Sequence, residues 1–132
     1  MKKKPTRKQL VKLIDSLRRD WIRLRDSSHQ GYASCISCQI QKPVSELQVG
    51  HFYLRGYDQT TELLTEWRNV SLQCQRCNGF MHGNLSGYAV GLVRKYGPKV
   101  LFELEAKKKV QKHWSYTELL EVVEWLKRKG AD

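Results

Sequence analysis

Four cysteines, the only ones in the chain, fall in two pairs, Cys35-Ile-Ser-Cys38 and Cys74-Gln-Arg-Cys77. A two-residue spacer lets both thiolates of a pair point at one ion, and a long intervening chain can close back on that ion. The chemistry this predicts is a four-thiolate Zn2+ site held by Cys35, Cys38, Cys74 and Cys77. Such a site leaves zinc no open coordination position, so the metal is structural. Any reaction must then come from what the zinc clamps together. The competing reading is two redox or disulfide pairs, but nothing in the chain resembles a secreted disulfide scaffold or a thioredoxin-like βαβ unit.

Between and beside the cysteines stand His51, Asn69, Asn78 and His82. His51 ends the alternating run Val44-Ser-Glu-Leu-Gln-Val-Gly-His-Phe52, which predicts a strand or hairpin. Asn78 directly follows the last cysteine, and His82 lies four residues on, one turn away if that stretch is helical. A strand histidine facing a helical Asn/His pair across a zinc knuckle resembles the HNH, or His-Me finger, nucleases. A closer resemblance is to the NinG/Rap family of phage recombination endonucleases. It is carried by Cys35-Ile-Ser-Cys38, Gly50-His51-Phe52, Arg68-Asn69-Val70, Gln73-Cys74-Gln-Arg-Cys77-Asn78, Gly83-Asn84-Leu85, the stretch from Tyr88 to Gly97, and His113-Trp114-Ser115.

The resemblance implies a fold and a reaction. The fold would be α+β: a small ββα-metal, HNH-like treble-clef zinc finger flanked by N- and C-terminal helices. The reaction would be hydrolysis of phosphodiester bonds in branched recombination intermediates such as Holliday junctions and D-loops. His51 would activate water, as suits a residue type that titrates near neutrality. Asn78 would offer an oxygen to a catalytic Mg2+ or Mn2+, with His82 as a possible second ligand, phosphate contact or plain surface residue. Asn69 would hold the backbone around His51. One departure is Gly50, where many HNH sites carry a metal-binding Asp or His; another is Gln48, where an acidic residue is common. The variant with Gly at this place holds its ion by a single helix Asn.

Composition points the same way. Lys plus Arg number 24 against 13 Asp plus Glu, a formal charge of +11, which favours a polyanionic partner. For DNA, the expected contacts are Arg55, Arg68 and Arg76, then Arg94 and Lys95. They would bind phosphates and carry no sequence information. No apolar run approaches the ~18 residues of a membrane span, and no signal-like apolar stretch follows Met-Lys-Lys-Lys-Pro. A cytoplasmic protein is expected. Two alternatives stay open: a non-catalytic zinc module that binds nucleic acid, and a general HNH nuclease indifferent to branching.

The length of 132 residues suits one domain. Residues 1–5 read as a disordered basic tail and 6–26 as an amphipathic helix with the stripe Leu10, Ile14, Leu17, Trp21 and Leu24. Its basic residues, Lys8, Lys12, Arg18, Arg19, Arg23 and Arg25, are expected to cover the rest of its surface. The stripe is a candidate homodimer interface, in competition with packing on Leu119, Val122 and Leu126 of the same chain. Residues 33–84 form the zinc-bound finger, with a turn at Lys42-Pro43, and 85–130 the C-terminal helices. Gly79, Gly83, Gly87 and Gly91 recur every fourth residue, which predicts either a broken helix or a bare face for close approach, the break falling at Gly83-Asn84. Pro98 to Lys109 reads as a helix. The last helix opens on a Ser115–Glu118 capping box with Trp114 and Leu119 as staple, and Gly130 should end it.

Overall fold

The computed structural model describes residues 3–131. It is α+β: four helices surround two small two-stranded antiparallel sheets. The tail expected over residues 1–5 lies partly outside the described residues. Pro5 itself is tied down, since its carbonyl accepts a hydrogen bond from the Tyr116 hydroxyl at 2.6 Å.

Helix α1 spans Arg7–Asp26 and begins at a capping box that the periodicity alone does not reveal. The Gln9 N–H donates to Thr6 Oγ1 and the Thr6 N–H to Gln9 Oε1, so two otherwise orphaned donors are satisfied. The buried line of α1 is Leu10, Ile14, Arg18 and Ile22, whereas Leu24 is 60% exposed. A step of four residues overshoots a helical turn by about 40°, so this line winds around the helix. Its N-terminal part faces helix α4 (Tyr116–Ala131), and Ile22 faces the strands. The expected surface basic residues are corrected accordingly. Arg18 is fully buried, Arg23 donates to the carbonyls of Val44 and Leu47, and Arg25 donates to those of Trp67 and Val70.

Leu10 and Ile14 pack on Leu119, Val122, Val123 and Leu126 of α4, with Leu64 and Trp114 closing the cluster. Of the stripe offered as a dimer interface, Leu10, Ile14, Leu17 and Trp21 therefore pack within the chain, and Leu24 stays exposed. Trp67 and Trp125 stack at 5.0 Å, and Trp21 meets both edge-on, which joins this helical core to the strands. The capping box at the start of α4 is present, with Ser115 N–H to Glu118 Oε1 at 3.0 Å and Glu118 N–H to Ser115 Oγ at 3.1 Å. Gly130 does not end the helix but lies inside it.

Strands β1 (Tyr32–Ser34) and β2 (Gln41–Pro43) flank the first cysteine pair. Lys42 and Pro43 belong to β2, and the turn follows them at Val44–Glu46. Strands β3 (Leu47–His51) and β4 (Val70–Cys74) pair antiparallel, with Leu47 opposite Cys74 and His51 opposite Val70. All of β4 is buried.

After β4 the chain makes one π-helical turn, Arg76–Phe80, rather than a regular finger helix. The Gly83 N–H reaches back to the Cys77 carbonyl at 2.8 Å, which peels the chain off the helical path. His82 consequently has φ +50° and does not stack one turn above Asn78. Helix α2 (Leu85–Tyr96) starts at the break expected at Gly83-Asn84. Its glycines also provide the bare face. A Cβ on Gly87 would meet the Ser37 carbonyl oxygen at 2.4 Å, and one on Gly91 the Ile36 carbonyl oxygen at 2.0 Å. Helix α3 (Val100–Lys109) buries Val100 and Leu104 beside Tyr88 and Leu92 of α2.

Candidate active site and metal centre

The β3–β4 hairpin carries a polar centre at each end. At the Leu47/Cys74 end the four cysteine sulfurs converge, all within 4.8 Å of one another. Cys38 Sγ and Cys74 Sγ are 3.7 Å apart. Zinc–sulfur bonds of about 2.3 Å in a tetrahedron put sulfurs about 3.8 Å apart, so the quartet can hold a zinc ion. Two further donors support the sulfurs: the Cys77 N–H to Cys74 Sγ at 3.5 Å, and Asn84 Nδ2 to Cys77 Sγ at 3.3 Å. Burial pushes the Cys77 thiol up to about 12. For Cys74, burial is outweighed by the Cys77 backbone N–H and the neighbouring thiols, which bring it down to about 7.

At the opposite end lies His51, with Gly50 one residue before it. A Cβ on Gly50 would fall 1.9 Å from Gln73 Oε1 and 2.9 Å from Asn78 Oδ1. Any side chain there is excluded, and two amide oxygens occupy the space instead. Each amide is oriented by its own nitrogen. Gln73 Nε2 donates to Ser37 Oγ (2.8 Å) and the Gly83 carbonyl (2.7 Å), and Asn78 Nδ2 donates to Gln48 Oε1 (2.8 Å). Gln48, where an acidic residue was the expectation, thus holds Asn78. The buried Tyr88 hydroxyl donates to the Gly50 carbonyl at 2.8 Å, tying α2 to the histidine strand, and burial pushes its own ionisation upward.

Asn69 is fully buried and grips the chain just past His51. Its Oδ1 accepts from the Tyr53 N–H at 2.9 Å, its Nδ2 donates to the Tyr53 carbonyl at 3.1 Å, and its own carbonyl accepts from the Phe52 N–H at 2.8 Å. Beyond it opens a cleft of about 490 Å³ lined by His51, Tyr53, Arg55, Tyr57, Asn78, His82 and Lys108, among others. Lys108 Nζ sits over the rings of Tyr53 and Tyr57 at 4.8 and 5.0 Å. The cleft therefore offers an imidazole, an amide oxygen, cations and aromatic faces within one open space.

The five expected cations divide. Arg55 lines the cleft with its side chain 66% exposed, its Nη1 3.4 Å from Asp15 Oδ2 at the rim, and Arg76 is exposed on the π turn that carries Asn78. Arg68 is engaged by Glu66 and Glu103 instead; burial alone would lower its ionisation, but Glu66 raises it. Arg94 and Lys95 line a separate depression near Cys35, where Lys95 pairs with Asp26 at 2.9 Å. Charge and nearness in sequence do not show which guanidinium already has a carboxylate partner.

Three residues join the site without any signal in the sequence, Lys108, Asp58 and Arg18, and Gln73 joins it from the motif of the second cysteine pair. Asp58 Oδ2 lies 3.4 Å from His51 Nε2 and 3.0 Å from Arg18 Nη2. Arg18 Nη2 also donates to Asp15 Oδ1 at 2.8 Å. Asp58 and Arg18 are both almost completely buried.

Of the groups near Gly50, Asn78 Oδ1 is an amide oxygen of fixed direction, the donor type that a hard divalent cation takes, and His82 lines the same cleft. Among the described residues the cysteine quartet is the only group of three or more His, Cys, Asp or Glu side chains placed to share one ion. No described helix is long and apolar enough to cross a membrane.

The sequence model of the family described as Bacteriophage Lambda NinG protein matches residues 1–130, so the chain belongs to that family. No curated protein and no solved structure matches it.

Proposed function

As a member of the NinG family, this chain is, we propose, a structure-selective DNA endonuclease that depends on Mg2+ or Mn2+. Its substrates are branched recombination intermediates, Holliday junctions and D-loops, in the cytoplasm of the host cell. Its catalytic core is a ββα-metal, HNH-like treble clef. The observation that carries the reading is the cleft at one end of the cysteine-bound hairpin, where His51, Asn78, His82, Arg55 and Lys108 share one open space.

In this reading His51 accepts a proton from water as the water oxygen bonds to phosphorus and the P–O3′ bond breaks; solvent supplies the proton that neutralises the departing 3′ oxygen. Asn69 keeps the imidazole in place through the Tyr53 backbone. Asn78, with His82 in the same cleft, would hold the divalent cation, whose positive charge would serve the scissile phosphate and the leaving oxygen. The formal charge of +11 supports phosphate binding without base reading, which suits selection by shape.

The test is cleavage of a four-way junction, a D-loop and linear duplex in Mg2+ and in Mn2+. His51→Ala should bind the junction normally and lose at least ~10²–10⁴-fold in rate. Asn78→Ala should also fail, with partial recovery at raised metal concentration. Junction binding without cutting in either metal would instead favour a non-catalytic zinc module. That second reading draws support from the absence of a carboxylate cluster at the cleft among the described residues. Equal cutting of linear duplex and junction would point to a general HNH nuclease.

A further inference from the structure

We infer that Asp58, anchored by Arg18 of the N-terminal helix, is the positioning residue for His51. The pair fixes the imidazole with its Nε2–H toward the buried carboxylate and leaves Nδ1 to take the proton from water. This rests on the reading of His51 as the base, and it makes α1 a working part of the active site.

His51 is only 15% exposed, and its Nε2, buried and without a hydrogen-bond partner, lies 3.4 Å from Asp58 Oδ2, a charge-pair contact. The two ring nitrogens lie on opposite edges, so the edge that faces the carboxylate cannot be the one that meets water in the cleft. A carboxylate facing one imidazole nitrogen selects the tautomer protonated there and stabilises the imidazolium formed when the other nitrogen gains a proton.

Asp58 is itself held by charge rather than by ordinary hydrogen bonds. Neither of its oxygens has a hydrogen-bond partner, yet Oδ2 sits 3.0 Å from Arg18 Nη2. An isolated buried carboxylate is costly, and Arg18 is the partner that offsets this cost and holds the carboxylate in place. Arg18 is in turn shared with Asp15, and Asp15 meets Arg55 at the cleft rim at 3.4 Å. Two carboxylates thus balance two guanidiniums while His51 is neutral, and a proton arriving on His51 is met directly by Asp58. The charged groups around His51 are Asp15, Arg18 and Arg19 from α1, Arg55 and Asp58 from the loop, His82 after the π turn, and Lys108 from α3. Of these only Asp58 has an atom in salt-bridge contact with the imidazole.

The experiment uses the zinc-loaded full chain. In Asp58→Asn and Asp58→Ala, junction cleavage should fall by roughly 10²–10⁴-fold with junction binding retained. The residual rate should have its acid limb at lower pH than wild type, because the carboxylate no longer favours the imidazolium. Long-range proton–nitrogen NMR, with His51 assigned by its absence in His51→Gln, should place the neutral-ring proton of the wild type on Nε2. Asp58→Ala should show a mixture of tautomers. Wild-type cleavage and an unmoved acid limb in both variants would overturn the inference, as would a wild-type proton on Nδ1. If the wild type cuts nothing but shows the Nε2 tautomer, and Asp58→Ala loses it, the pairing stands and the nuclease reading falls.

Discussion

The two ends of the β3–β4 hairpin pose the same physical problem and solve it differently. Each gathers polar groups in a mostly buried place: four sulfurs beside Leu47 and Cys74, and His51 with Asp58, Arg18 and Asp15 beside Val70. Four residue steps separate them, about 14 Å along a strand. At the sulfur end the groups repel one another once ionised, and only a cation from outside can reconcile them. At the histidine end the chain brings its own cation, Arg18, to balance Asp58. The first end is a site that folds around its metal; the second is a site that the fold prepares in advance.

The largest effect should come from removing what the sulfur end borrows. Structural zinc contributes roughly 10–16 kcal/mol in isolated finger peptides near neutral pH, comparable to the whole stability of a small domain. Stripping zinc, or Cys77→Ser, should therefore unfold the knuckle and not merely slow turnover. Amide exchange should accelerate through residues 35–49 and 70–84. Unchanged exchange after exhaustive chelation would mean that the sulfurs do not depend on metal, and the contrast between the ends would collapse.

At the histidine end the corresponding change is Arg18→Met. Removing one partner of a buried ion pair costs about 3–5 kcal/mol, because the other charge is left stranded. The loss should be read in denaturant midpoints. Adding Asp58→Asn to Arg18→Met should restore most of it, since the stranded charge is gone. A double variant as unstable as the single one would show that Arg18 stabilises by packing alone.

The difference between the ends also explains what the sequence made legible. The cysteine quartet could be read from spacing because two ligands of each pair are neighbours in the chain, and a metal imposes that pattern. His51, Asn69 and Asn78 could be singled out through a resemblance built on the same local offsets. Arg18, Asp58 and Lys108 could not, because tertiary packing alone brings residues 33 or more positions from His51, or on a different loop, to one cleft. The sequence pattern even puts Arg18 on the solvated side of α1, since an arginine on a helix with so many basic neighbours gives no hint that it stands in the buried line. The π turn is invisible in the sequence for a related reason: Cys77 and Gly83 are joined by one backbone hydrogen bond that no periodicity announces. The glycine spacing, by contrast, was legible because a missing Cβ is written directly in the sequence.

That spacing gives a smaller test of how the sulfur end is braced from behind. Alanine at Gly91 would put a Cβ 2.0 Å from the Ile36 carbonyl oxygen, a backbone atom within the first knuckle. The helix or the knuckle must move, and overpacking of this kind costs about 1–3 kcal/mol. Gly79→Ala meets nothing within 4 Å and should leave the melting temperature nearly unchanged or slightly raised. Equal losses in the two variants would mean that the contact of α2 with the knuckle is incidental.

The smallest effect is expected farthest from both centres, at the start of α4, and it separates support of the histidine end from its chemistry. Helix α4 packs on Leu10 and Ile14 and so holds α1, which carries Asp15 and Arg18. Lys112, followed by the Ser115 N–H, holds the half-buried Glu118 carboxyl down to about 2, below its ordinary value of 4.5. A carboxyl lowered in the folded state stabilises that state above about pH 4.5, and its contribution disappears as pH falls from there toward about 2. Glu118→Gln should therefore melt slightly below wild type at pH 7, with the gap closing in that acid window. Because neither Asp58 nor His51 touches Glu118, the acid limb of the cleavage profile should stay where it is. A shift of that limb in Glu118→Gln would mean that α4 sets the position of Arg18 directly, and the preparation of the histidine end would then extend through the whole helical core.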